Sequence, residues 1–579
     1  MADEAQPEAK RLCVLKFGSS VLGEEGDYQA VALEIYRHVR EGEKVVAVVS
    51  ALDGETDALF EQAERVGGGA PGALVARLAR VGELHSAALM TLALSRVGVS
   101  ACTMDPDEMS LVAEGEPLDS DLTSLDAKAV WAKLASHDVV VVPGFTAGHA
   151  EHGVVTLGRG GTDLSAVFFA ARLDAHRVRL IKDVDGVYAE DPAKNPAAER
   201  FSQMSYAEAA EASSGLIQPK AIRAAEVEDV LIEVAALGSA EATTIAHVPA
   251  RKSCPPKPER LRVALLGCGA VGAGVLAYLQ ARPDLFEVNP VLVRRPGKYD
   301  GPARFTVQPA EALAGDPDVV VELLGGADLP ADLMRSALRH GAQVVTANKA
   351  AVARHYDSLQ ACAETGGGAL RYSAAVGGGA PIIETLQRLG GSVVAVEGVM
   401  NGTCNFLLSR LAEGWSFDDA VAKAQELGFA EADPSADVDG HDAAHKLSIL
   451  VRDAFGVALA PDRIAKQSLR EVTPLSAQAA LARGQVLKQV GRCRLLADGS
   501  LEAEVRLEAL DASHPLAGAK NEENRFLVTD LEGMVHEVFG KGAGRWPTAT
   551  AVFADVMDAQ RALLGRGEVP AAEPVRLRA

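Results

Sequence analysis

A glycine-rich run lies near the middle of this 579-residue chain, at Gly267-Cys268-Gly269-Ala270-Val271-Gly272. It follows the apolar residues 263–266 and precedes a stretch with helical spacing of leucines. Gly267 permits a tight turn, Gly269 lets the backbone approach a pyrophosphate, and Gly272 lets helix and strand pack closely. The run predicts the strand, turn and helix that open a dinucleotide-binding fold. Because this fold begins mid-chain, another domain is expected before it.

Composition limits the class of protein. A chain of this length with 48% hydrophobic and 23% charged residues predicts two or three globular domains. The net charge of −22 argues against nucleic acid and anionic membranes as partners. The seven cysteines are scattered and form no C-x-x-C pair, which indicates reduced thiols in the cytoplasm and no structural zinc site. We also expect no signal peptide and no membrane span.

Alternating apolar and amphipathic stretches predict α/β layers around mostly parallel sheets on both sides of a proline-rich segment. Four prolines between residues 248 and 258 predict a stiff linker, since proline disrupts helices and central strands. Before the linker, strands are expected at 14–15, 45–49, 139–142 and 180–181, and helices at 27–39 and 74–97. After it, strands are expected at 263–266, 291–293, 319–323 and 344–346.

Several runs in the first half join glycines to charged residues at predicted strand ends, where open α/β sheets bind ligands. Lysine beside small residues in a strand-to-helix turn can hold a phosphate. The runs are Lys16-Phe17-Gly18-Ser19-Ser20, Ser50-Ala51-Leu52-Asp53-Gly54, Gly82-Glu83, Gly158-Arg159-Gly160-Gly161-Thr162-Asp163 and Lys182-Asp183-Val184-Asp185-Gly186-Val187-Tyr188.

In this order the runs resemble the amino-acid kinase family, aspartokinase most closely, over about residues 12–234. The resemblance implies an ATP site with Mg²⁺, formed by Lys16, Gly18, Ser19, Lys182, Asp183, Asp185 and Tyr188. It implies that Asp163 organises the Mg²⁺-nucleotide or the transferring group, and that Lys16 and Asp163 are catalytic. It further implies that aspartate is bound by Ser50, Glu83 and Arg159.

Two departures leave alternatives open. Ser19 replaces a glycine, and residues 215–219 replace the family's K-V-L-H-P, which removes a lysine that Lys220 could supply. One alternative is therefore a kinase-like module without activity that serves as a scaffold or regulator. Another is a kinase for a different acid such as glutamate, which Arg159 in its glycine run argues against.

The second half carries its own set of charged motifs. Arg294, Arg295 and Lys298 follow the second predicted strand, where basic side chains suit a 2′-phosphate, so NADP is expected, with NAD as the alternative. Asp442 and Lys446 are four residues apart and share a helix face. The remaining motifs are Thr346-Ala347-Asn348-Lys349, Asn401-Gly402-Thr403-Cys404-Asn405 and Gly428-Phe429-Ala430-Glu431.

Together these motifs closely resemble homoserine dehydrogenase, from about residue 262 to 564. The resemblance implies that Lys349 and Lys446 are catalytic lysines and that Glu431 and Asp442 bind the substrate. It places Thr346, Lys349, Gly542 and Gly544 at the cofactor. It also suggests a Na⁺ held by backbone carbonyls of Val376 and Gly378, although Ser373 lacks the acid that the family often has there.

The sequence thus predicts a bifunctional aspartokinase–homoserine dehydrogenase that acts on small molecules and forms a homodimer or homotetramer. We expect a kinase-like α/β sandwich at 10–248, a linker at 249–260 and a Rossmann domain at 261–369. A substrate and dimerisation domain of α+β type is expected at 370–540, and a return to the Rossmann domain at 541–566. No regulatory ACT domain is expected between the two halves.

Overall fold

The structure is a computed structural model, and it describes residues 12–195, 197–213, 215–239, 241–253, 260–427, 430, 433–496 and 498–564. The chain divides into two compact units, Met1–Lys257 and Pro258–Ala579. No helix among these residues is long and apolar enough to cross a membrane.

The first unit alternates strands with helices. Its strands are β1 (Leu12–Phe17), β2 (Lys44–Val49), β3 (Ala101–Thr103), β4 (Val112–Glu116), β5 (Asp119–Ser124), β6 (Val139–Pro143), β7 (Thr146–His149), β8 (Gly153–Thr156), β9 (Arg177–Lys182), β10 (Arg200–Met204), β11 (Ile232–Ala236), β12 (Thr243–Ile245) and β13 (Arg251–Ser253). Its helices are α1 (Asp27–Arg40), α2 (Glu55–Gly67), α3 (Gly72–Val97), α4 (Ala127–Ser136), α5 (Gly161–Arg172), α6 (Tyr206–Ala212) and α7 (Pro219–Val227).

A nine-stranded sheet organises this unit, in the order β13-β10-β12-β11-β9-β1-β2-β6-β3. Strands β11, β9, β1, β2, β6 and β3 are parallel, and the central ones are buried along their whole length. Apolar side chains cover them on both faces, as continuous valine runs predict. Since β1 and β9 are neighbours, Lys16 and Lys182 end adjacent strands at the same edge of the sheet.

Two features of the first unit differ from the sequence expectations. Strands β5-β4-β7-β8 form a separate sheet that the sequence does not signal, because these strands are short and rich in glycine and polar residues. In addition, residues 251–253 of the expected linker form β13, which pairs antiparallel with β10. Prolines flank this strand rather than interrupt it, and it lies at the sheet edge, where flanking proline is tolerated.

The second unit has two sheets. Its strands are β14 (Leu261–Leu266), β15 (Phe286–Val288), β16 (Val291–Leu292), β17 (Phe305–Thr306), β18 (Val319–Glu322), β19 (Gln343–Thr346), β20 (Ala369–Arg371), β21 (Val393–Val399), β22 (Ala465–Lys466), β23 (Gln485–Leu495), β24 (Leu501–Asp511), β25 (Glu523–Asp530) and β26 (Val535–Lys541). Its helices are α8 (Ala270–Gln280), α9 (Pro309–Ala312), α10 (Asp328–Arg339), α11 (Lys349–Gly366), α12 (Ile382–Leu389), α13 (Gly402–Ala412), α14 (Phe417–Glu426), α15 (Ser435–Val438), α16 (His441–Phe455), α17 (Pro474–Ala482) and α18 (Arg545–Leu564).

The first sheet is parallel, in the order β17-β16-β14-β18-β19-β20, with β15 also paired to β14. The second sheet, β22-β24-β23-β21-β25-β26, is antiparallel apart from the β22–β24 pair. After β26 the chain returns, and α18 packs against α8, where the Tyr278 hydroxyl lies 3.1 Å from Thr550 Oγ1. The strands expected from the apolar runs on both sides of the linker are confirmed.

Candidate active sites

The first candidate site is a buried charge cluster at the carboxyl edge of the nine-stranded sheet. Lys16 Nζ lies 2.8 Å from Asp163 Oδ1, and Lys182 Nζ lies 3.0 Å from Asp163 Oδ2. Burial alone would raise the pKa of Asp163, but the two ammonium groups outweigh it and lower that pKa. Burial and the nearby Lys16 charge lower the pKa of Lys182 to about 8. Two cations therefore converge on one point, as negative phosphates require.

Small residues make this cluster possible. A β-carbon at Gly18 would overlap Lys16 Nζ, so glycine at this position leaves room for the lysine to fold back over the turn. The Ser50 hydroxyl donates to Thr162 Oγ1 at 2.8 Å and so ties the end of β2 to the start of α5. The expected residues Lys16, Gly18, Ser50, Asp163 and Lys182 are therefore brought together.

Glu83 lies on α3 with its side chain almost fully buried. Burial raises the pKa of this carboxyl to about 8, although the Ala51 amide and the Lys16 charge both lower it. Within the described part of the chain, no group bonds its Oε2 atom. A buried acid with a free oxygen is suited to receive a cationic group such as an ammonium.

The other residues expected in this site are more open. Arg159, Ser19 and Asp183 are exposed. The Tyr188 hydroxyl donates to Asp185 Oδ1 at 2.6 Å, and the fully buried Arg200 lies 3.6 Å from Asp185 Oδ2. Asp185 is thus held in an ion-pair network through Arg200, which the sequence did not single out.

The segment that replaces the family's lysine motif lies against the glycine run at 158–161. The Gln218 amide donates to Asp163 Oδ2 at 3.3 Å, and its side chain donates to the Arg159 carbonyl at 3.0 Å. Lys220 Nζ lies 2.7 Å from Asp119 Oδ1, and Asp119 in turn contacts Gly158. A lysine is therefore present beside this run, paired with an acid.

The second candidate site begins at the glycine turn between β14 and α8. Gly267 has φ +107°, and a β-carbon there would lie 2.6 Å from the Leu323 carbonyl oxygen. A β-carbon at Gly272 would overlap the Gly267 carbonyl, whereas the same position at Gly269 has no atom within 4 Å. The turn is therefore tightly packed at Gly267 and Gly272 but open at Gly269. Gly269 lies next to Ala270 and Val271 at the start of α8, so a pyrophosphate could approach the backbone there.

The rim of this turn is basic. Arg294, Arg295 and Lys298 follow β16 and are all exposed. Thr346, which was expected at the cofactor, donates its hydroxyl to Glu322 Oε2 at 2.7 Å. Burial raises the pKa of Glu322, and the Leu324 amide donates to it at 2.6 Å. The sequence did not single out Glu322. The feature that could have indicated it is an acidic residue at the end of a strand made otherwise of valines.

Three charged side chains meet at Asp442 on α16. Lys349 Nζ lies 2.7 Å from Asp442 Oδ1, and Lys446 Nζ lies 2.8 Å from Asp442 Oδ2. Burial would raise the pKa of Asp442, but Lys446 and Lys349 hold it well below its usual range. Lys446 also donates to the Met400 carbonyl at 2.6 Å. Residues predicted from separate motifs therefore form one cluster in which two ammonium groups share one carboxylate.

Asn401 fixes this cluster, although the sequence reasoning assigned it no role. Its Nδ2 donates to Asp442 Oδ2 at 2.8 Å and to Asp437 Oδ1 at 2.7 Å, while its Oδ1 accepts from the Cys404 amide. Burial and the Asp442 charge raise the pKa of Asp437. An asparagine just before a helix is a capping signal, and here the capping side chain also holds the Asp442 carboxylate.

The glycines near the end of the chain meet the loop around Val376. A β-carbon at Gly378 would lie 2.7 Å from the Gly542 carbonyl oxygen, and the Gly379 amide donates to the Lys541 carbonyl at 2.9 Å. Val376 is buried and Gly544 is exposed. Ser373 Oγ donates to Asp555 Oδ1 at 3.0 Å, so a buried acid from α18 stands beside this loop. Glu431 lies outside the described residues.

The chain is similar in sequence to several known proteins. The chain is 38% identical over 337 residues to a homoserine dehydrogenase of Synechocystis, which is 77% of that protein and 54% of this chain. A homoserine dehydrogenase of Lactococcus lactis is 36% identical over 316 residues and 73% of its length. The chain belongs to the homoserine dehydrogenase family.

Family models match segments of both units. Residues 267–373 match the family model of the homoserine dehydrogenase NAD-binding domain. Residues 381–557 match a second family model, described as homoserine dehydrogenase. Residues 11–234 match the amino acid kinase family. A solved homoserine dehydrogenase from Thiobacillus denitrificans has a TM-score of 0.51 and 34% identity, over 75% of that protein and 53% of this chain. The chain therefore joins an amino acid kinase domain to the two domains of a homoserine dehydrogenase.

Proposed function

We propose that the second unit reduces aspartate semialdehyde to homoserine with a nicotinamide cofactor. The observation that carries this proposal is the Lys349–Asp442–Lys446 cluster in a chain of this family. When bound, the reduced cofactor supplies a hydride to the aldehyde carbon. The open Gly269 position and the start of α8 fit its pyrophosphate, and Arg294, Arg295 and Lys298 fit a 2′-phosphate, which favours NADP.

The lysines carry the remaining chemistry. As the carbonyl carbon gains a hydride, its oxygen becomes an alkoxide, and the Lys446 ammonium stabilises that charge and donates a proton to it. Lys446 is the deeper of the two lysines, whereas the Lys349 side chain is 40% exposed and can return protons from water. Asp442, with Glu431, holds the substrate ammonium. Thr346 and Glu322 fix the end of β19, shortly before Lys349 begins α11.

We propose a bound monovalent cation near the loop at 373–380. Val376 and Gly378 lie in one glycine-rich loop, and Gly378 lies beside the carbonyl oxygens of Lys541 and Gly542. Asp555 supports this proposal, since its buried carboxylate compensates for the acid that Ser373 lacks. A rise in the unfolding temperature of the dehydrogenase unit with NaCl, beyond that with choline chloride, tests it.

For the first unit we propose phosphorylation of aspartate by ATP. The side-chain carboxylate attacks the γ-phosphorus, a new O–P bond forms, and the bond to the β-phosphate oxygen breaks to release ADP. Because the nucleophile is already ionised, catalysis needs positioning and charge neutralisation rather than a base. Lys16 and Lys182 supply the positive charge, Asp163 positions both lysines, and Mg²⁺ adds further charge when bound.

The substrate groups of this proposed kinase are placed by Glu83, Ser50 and Arg159. Glu83 receives the ammonium, and Arg159, which is exposed in the glycine run, pairs with the α-carboxylate. Lys220 stands in for the lysine missing from residues 215–219. Trapping of aspartyl phosphate with hydroxylamine tests the kinase, and NADP⁺-dependent oxidation of homoserine tests the dehydrogenase. If the trap fails while oxidation succeeds, the first unit is the inactive module instead.

A further inference from the structure

A buried cluster of metal-ligating side chains lies at the amino edge of the nine-stranded sheet, opposite the edge that carries Lys16 and Asp163. Cys13 is on β1, His38 is in the last turn of α1, and Glu43 is in the turn that leads to β2. All three side chains are less than a tenth exposed. One ligand atom from each lies within 4.8 Å of the others. A thiol, an imidazole and a carboxylate in one buried place are a donor set that suits zinc.

A fourth donor, His176, comes from the residue before β9, the neighbour of β1 in the sheet. His176 Nε2 lies 3.1 Å from Glu43 Oε1, and His38 Nδ1 lies 2.6 Å from Glu43 Oε2. Each imidazole thus faces one oxygen of the same carboxylate. Because the His176 side chain is 29% exposed, it gives an ion a path from solvent to the buried donors.

The outer nitrogens of both histidines already have partners. His176 Nδ1 donates to the Leu12 carbonyl at 2.7 Å, which leaves the Nε2 lone pair of the neutral ring facing the cluster. His38 Nε2 lies 3.5 Å from Glu34 Oε1 and 3.0 Å from Arg37 Nη2. A carbonyl or carboxylate behind an imidazole is the usual support of a metal-binding histidine, because it fixes the tautomer and the orientation of the ring.

A side-chain cation already lies against this cluster. The Arg177 guanidinium is 3.0 Å from Glu43 Oε1 and also contacts His176 Nε2. Its Nε atom lies 3.3 Å from Glu233 Oε2, so a second acid retains the guanidinium when Glu43 binds another cation. The buried Glu43 carboxylate therefore requires a positive partner, and a divalent ion competes there with an arginine that has an alternative.

We propose that this cluster binds one Zn²⁺ in a tetrahedral site. The ligands are Cys13, His38, Glu43 and His176. Ligand atoms around a tetrahedral zinc are about 3.3–3.6 Å apart, so the buried donors need to close in by roughly 1 Å. Burial raises the pKa of the Cys13 thiol, so binding displaces a proton from the sulfur.

This site is separate from both proposed reactions. The ion would join the amino ends of β1 and β9 to the turn after α1, away from the sheet edge where Lys16 lies. The expectation of no structural zinc site rested on the absence of a C-x-x-C pair. Here the donors come from separate segments, which parallel strand pairing brings to one edge of the sheet.

Metal substitution in the full-length, untagged chain tests the proposal. After treatment with a chelator, the protein is titrated with Co²⁺ in excess Mg²⁺, which occupies sites made of oxygen ligands. One Co²⁺ per chain should bind, with the visible absorption of a tetrahedral ion and the near-ultraviolet charge-transfer band of a thiolate ligand. An equimolar amount of Zn²⁺ should then remove both signals.

Two pairs of variants locate the site. Cys13→Ser should lose the thiolate band, whereas Cys493→Ser, which removes an equally buried cysteine from the second unit, should keep it. His176→Gln should weaken Co²⁺ binding about tenfold or more. His340→Gln is its control, since the Nδ1 atom of that exposed histidine also lies 2.7 Å from a backbone carbonyl.

The exposure of His176 keeps the test decisive, because its variant should fold even if Cys13→Ser does not. The proposal is overturned if the chain binds no Co²⁺ with a thiolate band, or if His176→Gln binds Co²⁺ as tightly as His340→Gln. It is also overturned if the thiolate band survives in Cys13→Ser.

Discussion

Lys446 and Asp442 lie one turn apart on α16, with Nζ 2.8 Å from Oδ2, and each is less than a tenth exposed. An exposed ion pair with this spacing would contribute little to the stability of the protein. Here the carboxylate also accepts hydrogen bonds from Lys349 and Asn401, so both of its oxygens are held in place by the protein. The pair therefore positions an ammonium group inside a desolvated site, where, in the reaction proposed above, its charge acts strongly on the developing alkoxide.

We expect Lys446→Ala to lower the turnover of homoserine oxidation by about 10²–10³, roughly 3–4 kcal/mol, because one charge on the alkoxide is lost. Cofactor affinity should be unchanged, since Lys446 is assigned to the substrate. Steady-state kinetics and fluorescence titration with NADPH measure the two effects. Lys423→Ala, which removes only a surface ion pair with Glu426, is the control. Near-normal turnover in Lys446→Ala would refute the assignment.

Asp442 should also make the dehydrogenase unit sensitive to acid. The pKa of Asp442 is held low in the folded state. The stability that this carboxylate contributes is therefore present above the pKa of the unfolded state, about 3.9, and is lost as the pH falls below that pKa. We expect Asp442→Asn to lower the unfolding temperature at pH 7 and to flatten its decline below pH 4. Calorimetry across this range measures both. An unfolding temperature equal to that of the wild type at pH 7 would contradict the account.

Glu83 should couple aspartate binding to proton release. Its pKa of about 8 keeps the carboxyl protonated at pH 7 in the free protein, and an incoming ammonium favours the ionised form. Titration calorimetry in buffers of different ionisation enthalpy should detect up to one proton released per aspartate at pH 7. Glu83→Gln should release none and bind aspartate more weakly. Equal release by both proteins would exclude Glu83 as the source.

The same residue predicts a pH-dependent stability. Because the folded pKa of Glu83 is raised, its contribution is fully present below the unfolded value of about 4.3 and is lost as pH rises toward 8. Without ligands, Glu83→Gln should therefore gain unfolding temperature relative to wild type between pH 5 and 8. A constant difference across this range would show that the carboxyl is ionised throughout.

Arg294→Asp should shift cofactor preference from NADP toward NAD. A carboxylate at this position repels a 2′-phosphate and can accept hydrogen bonds from ribose hydroxyls. We expect the ratio of kcat/KM for NADP⁺ to that for NAD⁺ to fall at least tenfold. Arg304→Asp, another exposed change in the same domain, controls for net charge. An unchanged ratio would mean that another residue selects the cofactor.

The sequence predicted the parts of the fold that depend on local pattern. Valine runs located the central strands of both parallel sheets, and the glycine turn at 267–272 located the start of the dinucleotide-binding fold. The meeting of Lys349 with Asp442 and Lys446 followed from family resemblance, since nearly one hundred residues separate Lys349 from Asp442. Local spacing alone predicted only the Asp442–Lys446 pair.

Residues that act through tertiary contacts were not predictable in this way. Asn401 and Glu322 support the reactive side chains by hydrogen bonds between separate elements, and Arg200 holds Asp185 from a different strand. Strand β13 was also missed, because its pairing with β10 is decided at the sheet edge rather than by its own composition. Such contacts depend on how elements pack, which single-sequence patterns do not encode.

The central claim is that one chain carries two independent active sites, one built on Lys16 and the other on Lys446. The most direct test is to assay aspartyl hydroxamate formation and homoserine oxidation in the same preparations of wild type, Lys16→Ala and Lys446→Ala. The account predicts both activities in wild type, loss of hydroxamate alone in Lys16→Ala, and loss of oxidation alone in Lys446→Ala. Absence of hydroxamate in wild type, or loss of both activities in either variant, would contradict it.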